Sequence, residues 1–376
     1  MASQATYLDW NATAPLRPEA VAAVTAALSD GGNPSSVHRA GRAARQRVER
    51  ARRSVAALVG AAAEGVVFTS GGTEANHLAL FGSGRERILV SAVEHSSVLQ
   101  AAPEAERLPV DCNGMVDVGG LEAMLRANPR PALISIMLAN NETGVIQPIA
   151  ALAAAAHAHG ALLHCDAVQA AGKMPLDVAA LGVDLMSVSA HKLGGPPGIG
   201  ALVLAPGSEV AAQQRGGGQE RGRRAGTENL PGITGFAAAA EAAGADLAAY
   251  DRVLALRDRL EIFARDAVPE AMVIGACVTR LPNTTALALP GVAAATQVIG
   301  LDLDGVMVSA GAACSSGKVG PSHVLAAMGL PPHIIGSTIR VSLGWSTTED
   351  DITHFLEAWT RLARRVQRSA RAGRAA

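Results

Sequence analysis

The sequence predicts an α/β fold with two parts: a large domain whose mostly parallel sheet is flanked by helices, and a smaller α+β domain. Through the first two-thirds of the 376 residues, apolar runs of strand length alternate with alanine-rich helical runs. This alternation is typical of a parallel sheet covered by helices. The composition shifts after about residue 250, and a chain of this length can bury two cores.

The composition favours small-molecule chemistry in a soluble protein. The 32 Lys and Arg residues nearly balance the 33 Asp and Glu residues, so no global field recruits nucleic acid or a membrane surface. The first residues lack the pattern of a signal peptide, and no apolar run is long enough to span a membrane. The four cysteines lie far apart, which indicates neither a disulfide framework nor a metal site. We therefore expect a cytoplasmic location.

Two helices stand out by their periodicity. Residues 36–60 carry apolar residues near helical spacing, from Val37 to Leu58, and Gly60 can end the helix in a left-handed conformation. Its arginine face is most simply interpreted as solvated. The chain ends in a second amphipathic helix, whose apolar positions are Ile352, Phe355, Leu356, Trp359, Leu362 and Val366.

Polar residues follow five apolar runs of the large domain, each directly after its run. If these runs are parallel strands, their carboxyl ends meet at one edge of the sheet, where open α/β folds bind ligands. The groups are VVFTS with Gly72 and Thr73, ILVSA with Glu94 and His95, ALISIMLA with Asn140 and Asn141, ALLHC with Asp166 and Gln169, and LMSVS with Ser189, His191 and Lys192.

Each of these groups also has an ordinary structural explanation. Thr73 or Asp166 could cap a helix, His95 or Asn141 could be a satisfied loop residue, and Lys192 could be a solvated turn residue. Five such coincidences at one sheet edge are harder to explain singly. We therefore interpret the set as one candidate binding site.

The residue types match the chemical parts of pyridoxal 5'-phosphate. A glycine turn that opens a helix suits a phosphate, with Thr73, Ser189 and His191 as further donors. Asp166 suits a cationic ring nitrogen. Lys192, desolvated among apolar strands, would form an imine with an aldehyde. The glycines and prolines after Lys192 let the backbone pass close to the cofactor.

At this point the chain resembles cysteine desulfurases of the NifS/IscS type, which belong to the class V aminotransferase group of fold-type I pyridoxal-phosphate enzymes. The resemblance covers nearly the whole chain and consists of motifs in the family's order. Any one of them is weak, but the ordered series is specific. The motifs are YLDWNATAPL, GNPSSVHRAGR, VVFTSGGTEANHLAL, EHSSV, NNETGVIQP, HCDAVQAAGK, SAHKLGGPPGIGAL, GGGQERGRRAGTEN, AGAACSSG, PSHVL and STIRVSLG.

The resemblance implies a role for each candidate residue. Lys192 would hold the cofactor aldehyde and later move the Cα proton of the substrate, while His95 would stack on the ring and shuttle protons. Asp166 would pair with the ring nitrogen and Gln169 with the ring oxygen. The other roles are phosphate binding by Gly72, Thr73, Ser189 and His191, a place beside the cofactor and substrate for Asn141, the substrate carboxylate for Arg340, and the phosphate of the neighbouring subunit for Thr227.

The resemblance also implies a homodimer and a division into domains. The family's small domain combines the C-terminal part with the first dozen or so residues. We therefore expect a large cofactor-binding domain at residues 14–250 and a small domain formed by residues 1–13 and 251–376.

Cys314, in the segment AGAACSSG, selects the reaction. Small neighbours and no evident helix or strand suit a mobile, exposed thiol, although a buried cysteine in a tight turn is the alternative. The resemblance implies that L-cysteine gives L-alanine and a persulfide on Cys314. A sulfur acceptor or an iron–sulfur scaffold protein would then receive the sulfur, and the protein itself would hold no metal.

Three other functions stay open on the sequence. A class V aminotransferase needs the cofactor residues but not Cys314, and selenocysteine lyase activity could use the same site. The segment RGGGQERGRRAG could instead bind RNA in a scaffold protein. That last function leaves the five strand ends unexplained, and the near-zero net charge argues against it.

Overall fold

The computed structural model describes residues 5–311 and 320–375, with residues beyond 366 described as backbone only. Within these ranges the strands are β1 (Thr6–Tyr7), β2 (Val66–Thr69), β3 (Arg87–Ser91), β4 (Glu106–Leu108), β5 (Ala132–Met137), β6 (Leu162–Asp166), β7 (Leu185–Ser189), β8 (Gly200–Leu204), β9 (Met272–Ile274), β10 (Thr284–Ala288), β11 (Val306–Met307), β12 (Ser309–Ala310) and β13 (Thr338–Ser342). The helices are α1 (Pro18–Asp30), α2 (Arg39–Leu58), α3 (Gly72–Gly82), α4 (Ser96–Leu99), α5 (Val118–Ala127), α6 (Ile149–Ala158), α7 (Val178–Leu181), α8 (Leu230–Ala245), α9 (Ala249–Ala267), α10 (Ala294–Leu303), α11 (His323–Ala327), α12 (Pro332–Ile335) and α13 (Glu349–Ala375).

The large sheet has seven strands in the order β2-β8-β7-β6-β5-β3-β4. Strand β8 is antiparallel to both of its neighbours, β2 and β7, and the other pairs are parallel. Because two reversals restore the direction, β2 runs the same way as β3, β5, β6 and β7. The five strands that precede the candidate residues therefore end at the same edge of the sheet, as the sequence predicts.

Helices cover both faces of this sheet. Successive residues of β5 point to opposite faces, so Leu133 packs in a cluster with Leu78 of α3, and Ile134 packs in a cluster with Val48 of α2 and Phe236 of α8. All five side chains are buried. This two-sided burial explains why the strands read as continuous apolar runs rather than as alternating ones. No helix in the described part of the chain combines the length and apolar character needed to cross a membrane.

Helix α2 differs from its sequence-based interpretation in two ways. It begins at Arg39, which leaves Val37 85% exposed outside the helix, although Gly60 does adopt the expected positive φ of 62°. The arginine face is not wholly solvated, because Arg52 is buried and its guanidinium donates to both carboxylate oxygens of Glu220, at 2.7 and 3.0 Å. The expectation of a solvated face is wrong at this position, since the partner lies far along the chain.

The C-terminal part forms a second sheet and a second core. Four antiparallel strands lie in the order β12-β13-β10-β9, and β1 pairs in parallel with β11. The core packs Leu8 against Leu301, Val341, Phe355 and Trp359. The N-terminal residues thus pack with the C-terminal part, and the apolar stripe predicted for α13 faces this core. The domain boundaries at residues 13 and 250 stay a prediction.

A chain of side-chain hydrogen bonds crosses the centre of the large sheet. His164 on β6 is fully buried, with Nδ1 2.9 Å from the Ser135 hydroxyl on β5 and Nε2 2.9 Å from the Ser187 hydroxyl on β7. Burial lowers the pKa of His164 to about 4. The ring is therefore neutral in the native protein near neutral pH, and both hydroxyls satisfy its nitrogens without a buried charge.

We expect His164 to make the fold acid-sensitive. Its pKa is lower in the folded chain than the ordinary value of about 6.5, so its contribution is complete above pH 6.5 and is lost as the pH falls towards 4. Between pH 7 and pH 4.5 the loss amounts to about 2 kcal/mol. Urea denaturation at pH 7 and pH 4.5 measures it, with His164→Gln as the non-titrating control. Equal losses for the two proteins would contradict this assignment.

Candidate active site

A cavity of about 290 Å³ lies at the carboxyl ends of the parallel strands. It brings together every described residue to which the resemblance gives a role, except Thr227, whereas Glu94 and Asn140 of the strand-end groups do not line it. The candidate residues that line it are Gly72, Thr73, His95, Asn141, Asp166, Gln169, Ser189, His191, Lys192 and Arg340. Residues associated with both sheets meet here, since Arg340 lies on β13 of the smaller sheet.

Lys192 lies in a short 3₁₀ turn, Ala190–Lys192, that directly follows β7. Its Nζ donates to the carbonyl oxygens of Asn11 and Ala12, at 2.6 and 2.7 Å. Desolvation, helped by the nearby charge of Arg340, lowers the pKa of Lys192 to about 8. About a tenth of the amine is thus unprotonated at pH 7, far more than for an ordinary lysine, and is able to attack an aldehyde.

Asp166 ends β6 and has a fixed orientation in the cavity wall. Its Oδ2 accepts from Asn76 Nδ2 at 2.8 Å, and its Oδ1 accepts from the backbone N–H of Val168 at 3.0 Å. Asn76 is buried in α3, and its Nδ2 also donates to the Ser97 hydroxyl at 2.9 Å. These donors hold the carboxylate at the place where a cationic ring nitrogen would pair with it.

The N-terminus of α3 forms another wall of the cavity. Gly72 opens this eleven-residue helix at the end of β2, and Thr73 follows it. A side chain on Gly72 would not fit, because its Cβ would lie 2.9 Å from Val168 Cγ2. The free N–H groups and the positive end of the helix dipole suit a phosphate.

His191 and Ser189 add side-chain donors beside this helix end. Burial lowers the pKa of His191 to about 4, with a contribution from the charge of Lys192, so its imidazole is neutral. The ring Nδ1 lies 3.2 Å from the Thr13 hydroxyl. A neutral imidazole can donate a hydrogen bond to a phosphate. The negative charge of that phosphate would then be stabilised by the N-terminus of α3.

His95 precedes α4 and is held by Ser97. The imidazole Nδ1 accepts from the backbone N–H of Ser97 at 3.1 Å and lies 2.8 Å from its hydroxyl. The surrounding protein desolvates the ring and, together with the charges of Lys192 and His323, lowers the pKa of His95, while Asp166 opposes this effect. Since Nδ1 is occupied, proton exchange in the cavity falls to Nε2.

Arg340 already has partners in the cavity wall. It is 3% exposed, and its Nη2 donates to Asp9 Oδ1 at 2.7 Å while its Nη1 donates to the carbonyl oxygen of Asn141 at 3.1 Å. Its buried Nε has no hydrogen-bond partner in the described part of the chain. A planar guanidinium in the cavity wall suits a carboxylate ligand.

Two residues with an implied role, Thr227 and Cys314, are not among the described residues that line the cavity. Thr227 is exposed and lines a separate pocket with Thr69 and Ser70, outside the cavity. Cys314 lies outside the described residues. The described residues on either side of its segment both approach Glu142: a Cβ on Gly311 would lie 2.8 Å from Glu142 Oε2, and the Ser322 hydroxyl donates to the same oxygen at 2.5 Å.

Sequence reasoning missed several buried polar residues that support the site. They are Asn11, Asn76, Glu142 and Lys173, each at most 3% exposed. All four occur within motifs that carry the family resemblance, but none follows an apolar run directly. The spacing of Lys173 four residues after Gln169 is the one local signal that could have linked it to the site.

The residues present fit pyridoxal phosphate. The cavity offers an amine with a lowered pKa at Lys192, an oriented carboxylate at Asp166, and a helix N-terminus at Gly72, where a side chain would not fit. These three features match the aldehyde, the ring nitrogen and the phosphate of the cofactor. Gln169, 6% exposed, adds an amide to the same wall.

Comparisons with known proteins agree with this chemistry. The model of the Aminotransferase class-V family matches residues 6–355. A cysteine desulfurase from Cereibacter sphaeroides is 45% identical over 367 residues, which cover 93% of this chain and 94% of the relative. The cysteine desulfurase IscS of Dictyoglomus turgidum is 39% identical over 376 residues, with 96% and 95% covered. The X-ray structure of a NifS-like protein from Rickettsia africae is similar with a TM-score of 0.88 and 34% identity, covering 96% of this chain and 99% of that chain.

The lowered pKa of Lys192 predicts unusual reactivity in the cofactor-free protein. At pH 8 about half of this amine is unprotonated, whereas an ordinary lysine is roughly 0.3% unprotonated. Acylation with a brief reagent pulse from pH 6 to 10, read by mass spectrometry of the Lys192 peptide, should show a midpoint near pH 8. Nα-acetyl-lysine is the control, and a midpoint equal to that of the control would contradict the prediction.

Proposed function

The chain belongs to the class-V aminotransferase family, and from this membership we propose that it is a pyridoxal-phosphate-dependent cysteine desulfurase that converts L-cysteine to L-alanine. The meeting of Lys192, Asp166, the α3 N-terminus and Arg340 in one cavity is the observation that carries the proposal. Relatives of 39–45% identity over nearly the full chain carry the name cysteine desulfurase. The fold type and the cofactor predicted from the sequence are confirmed by the family.

The cavity residues divide into those that hold the cofactor and those that act on the substrate. We propose that Lys192 binds the cofactor aldehyde, Asp166 the ring nitrogen and Gln169 the ring oxygen. When bound, pyridoxal phosphate withdraws electrons from Cα of the substrate, which makes the α proton acidic and weakens the bond from Cβ to sulfur. The phosphate would be held by Gly72, Thr73, Ser189 and His191.

Proton movement is assigned to Lys192 and His95. Once substrate has released the amine of Lys192, its pKa of about 8 lets it take the Cα proton and return it near neutral pH. The lowered pKa of His95 leaves Nε2 free to accept a proton. Arg340 and Asn141 would hold the substrate carboxylate, which fixes the Cα proton relative to the base.

The sulfur is assigned to Cys314. Its thiolate attacks the substrate sulfur, an S–S bond forms, and the Cβ–S bond breaks with its electron pair on the carbon side. That carbon takes up a proton, and L-alanine leaves. Gly311, directly before the segment, and Ser322, shortly after it, both approach Glu142, the residue after Asn141 of the cavity wall. This placement supports access of Cys314 to the cavity.

The persulfide then needs a recipient. We propose a sulfur-acceptor protein or an iron–sulfur scaffold as the recipient, and a cytoplasmic location, because a free thiolate nucleophile needs a reducing compartment.

We further propose a homodimer in which Thr227 completes the phosphate site of the partner subunit. Thr227 is exposed and lies outside the cavity of its own chain, so it has no access to that phosphate site.

The Cys314→Ala variant should keep the absorbance of the bound cofactor but lose multiple-turnover sulfide production from L-cysteine with a thiol reductant. Cys112→Ala, which removes a cysteine whose thiol is exposed, is the matched control and should keep full turnover. Sulfide and alanine assays measure both. Unchanged turnover of Cys314→Ala would remove this residue from the mechanism, and a requirement for a keto acid would indicate an aminotransferase.

A mixed dimer tests the role of Thr227. Lys192→Ala should lose the absorbance band of the covalently held cofactor, and Thr227→Val should bind pyridoxal phosphate more weakly. A heterodimer of the two, purified with different tags, restores one complete site and should recover about half of the wild-type activity. If the heterodimer is no more active than its parents, Thr227 does not act across subunits.

A further inference from the structure

Lysine is rare in this chain: Lys192 lines the cavity, and Lys173 lies behind two residues of its wall, Gln169 and Asn11. The 32 basic residues include three lysines, Lys173, Lys192 and Lys318, and the rest are arginines. Lys173 is 3% exposed and follows Gln169 by four residues. Its partners are amide oxygens: Nζ donates to Gln169 Oε1 at 2.9 Å and to Asn11 Oδ1 at 3.0 Å. A buried amine between two neutral amides is an expensive arrangement that a purely structural role explains poorly.

The hydrogen bonds fix which way the Gln169 amide faces. Its Nε2 donates to the carbonyl oxygen of Asn11 at 2.9 Å, an atom that can only accept. The other end of the amide must then be oxygen, and it receives the N–H of Lys173. Nε2 retains one N–H beyond the bond to Asn11, and Gln169 lines the cavity.

The side chain of Asn11 is oriented by the same logic. Its Oδ1 accepts from Lys173 and from Asn283 Nδ2, at 3.0 Å each, while its own Nδ2 donates to the carbonyl oxygen of Asn141 at 3.2 Å. Asn283 Nδ2 also donates to a carbonyl oxygen, that of Leu343, so its assignment is firm.

The network does not depend on the charge of Lys173. Burial lowers the pKa of Lys173 well below its ordinary value, and the charges of Lys192 and Arg340 lower it further. A neutral amine still has two N–H groups, which are the two that Gln169 and Asn11 receive. Lys173 therefore acts as a double donor in either protonation state.

We propose that Lys173 is a positioning residue that holds the oxygen of the Gln169 amide away from the cavity, so that an amide N–H is presented to the ring oxygen of the cofactor. The inference rests on the proposed function, since it assumes bound pyridoxal phosphate. An N–H at the ring oxygen stabilises negative charge there and weakens its hold on the proton shared with the Lys192 nitrogen. Lys173 would thus tune the covalently held cofactor without touching it.

The experiment compares Lys173→Met, Gln169→Leu and the double variant as holoenzymes. Methionine keeps the length of the side chain but donates no hydrogen bond. The readouts are the pH midpoint of the cofactor absorbance change, the dissociation constant for pyridoxal phosphate, and the thermal midpoint. The charged groups that act on Lys192 are Arg340, Asp9 and Asp166, the titratable groups beside it are His95 and His191, and all are unchanged in the three variants.

We expect Lys173→Met to raise the absorbance midpoint by about one pH unit and to weaken cofactor binding about tenfold, as loss of one hydrogen bond to a charged oxygen implies. Gln169→Leu should give a similar shift, and the double variant should add little to it. A lower thermal midpoint with an unchanged absorbance midpoint and dissociation constant would overturn the inference and leave Lys173 a structural role.

A neutron crystal structure of the wild-type holoenzyme, which distinguishes the nitrogen of the Gln169 amide from its oxygen, decides the question even if Lys173→Met does not fold. Gln169 Nε2 within hydrogen-bond distance of the ring oxygen, with Oε1 still on Lys173, supports the inference, and an amide turned the other way overturns it. The proposed function fails separately, if the wild-type protein shows no absorbance of bound pyridoxal phosphate at all.

Discussion

The burial of Asn11 between the two sheets is the interaction on which the site depends. Its carbonyl oxygen accepts from Lys192 and Gln169, which follow strands of the larger sheet. Its backbone N–H donates to Ser342, and its side chain donates to Thr284, both on strands of the smaller sheet. One residue near the N-terminus therefore links the two sheets at the cavity. Three of these four bonds are buried and the one from Lys192 is partly buried, so exchanging them for bonds to water would cost about 0.5–1.5 kcal/mol each.

Much of the site could be predicted from the sequence because one constraint places it. Parallel strands end at a common edge, so residues that directly follow apolar runs, such as Asp166 and Lys192, had to meet if the runs were parallel. The reversed strand β8 does not disturb this, since it restores the direction of β2. The family resemblance then supplied Arg340, which lies on another sheet and follows no such rule.

The supporting residues could not be predicted in the same way. Asn11 and Lys173 are separated by 162 positions, and Arg52 and Glu220 by 168, so no local periodicity connects them. From the sequence alone, a polar residue in a helix or a turn is interpreted as solvated, because a partner far along the chain is not visible. The solvated interpretation of the α2 arginines was wrong at Arg52 for this reason. Its partner, Glu220, adopts a positive φ of 46°, which nothing in the sequence predicts.

The ion pair between Arg340 and Asp9 has a consequence for the binding and release of amino acids at the proposed site. In the proposed function, the substrate carboxylate would replace the Asp9 carboxylate on Arg340, so ligand entry would be an exchange whose net free energy is smaller than that of either ion pair alone. Asp9 can turn towards water as this happens, since its side chain is 21% exposed. L-alanine carries the same carboxylate as L-cysteine, so on the proposed function it would leave by the reverse exchange as Asp9 restores its ion pair with Arg340.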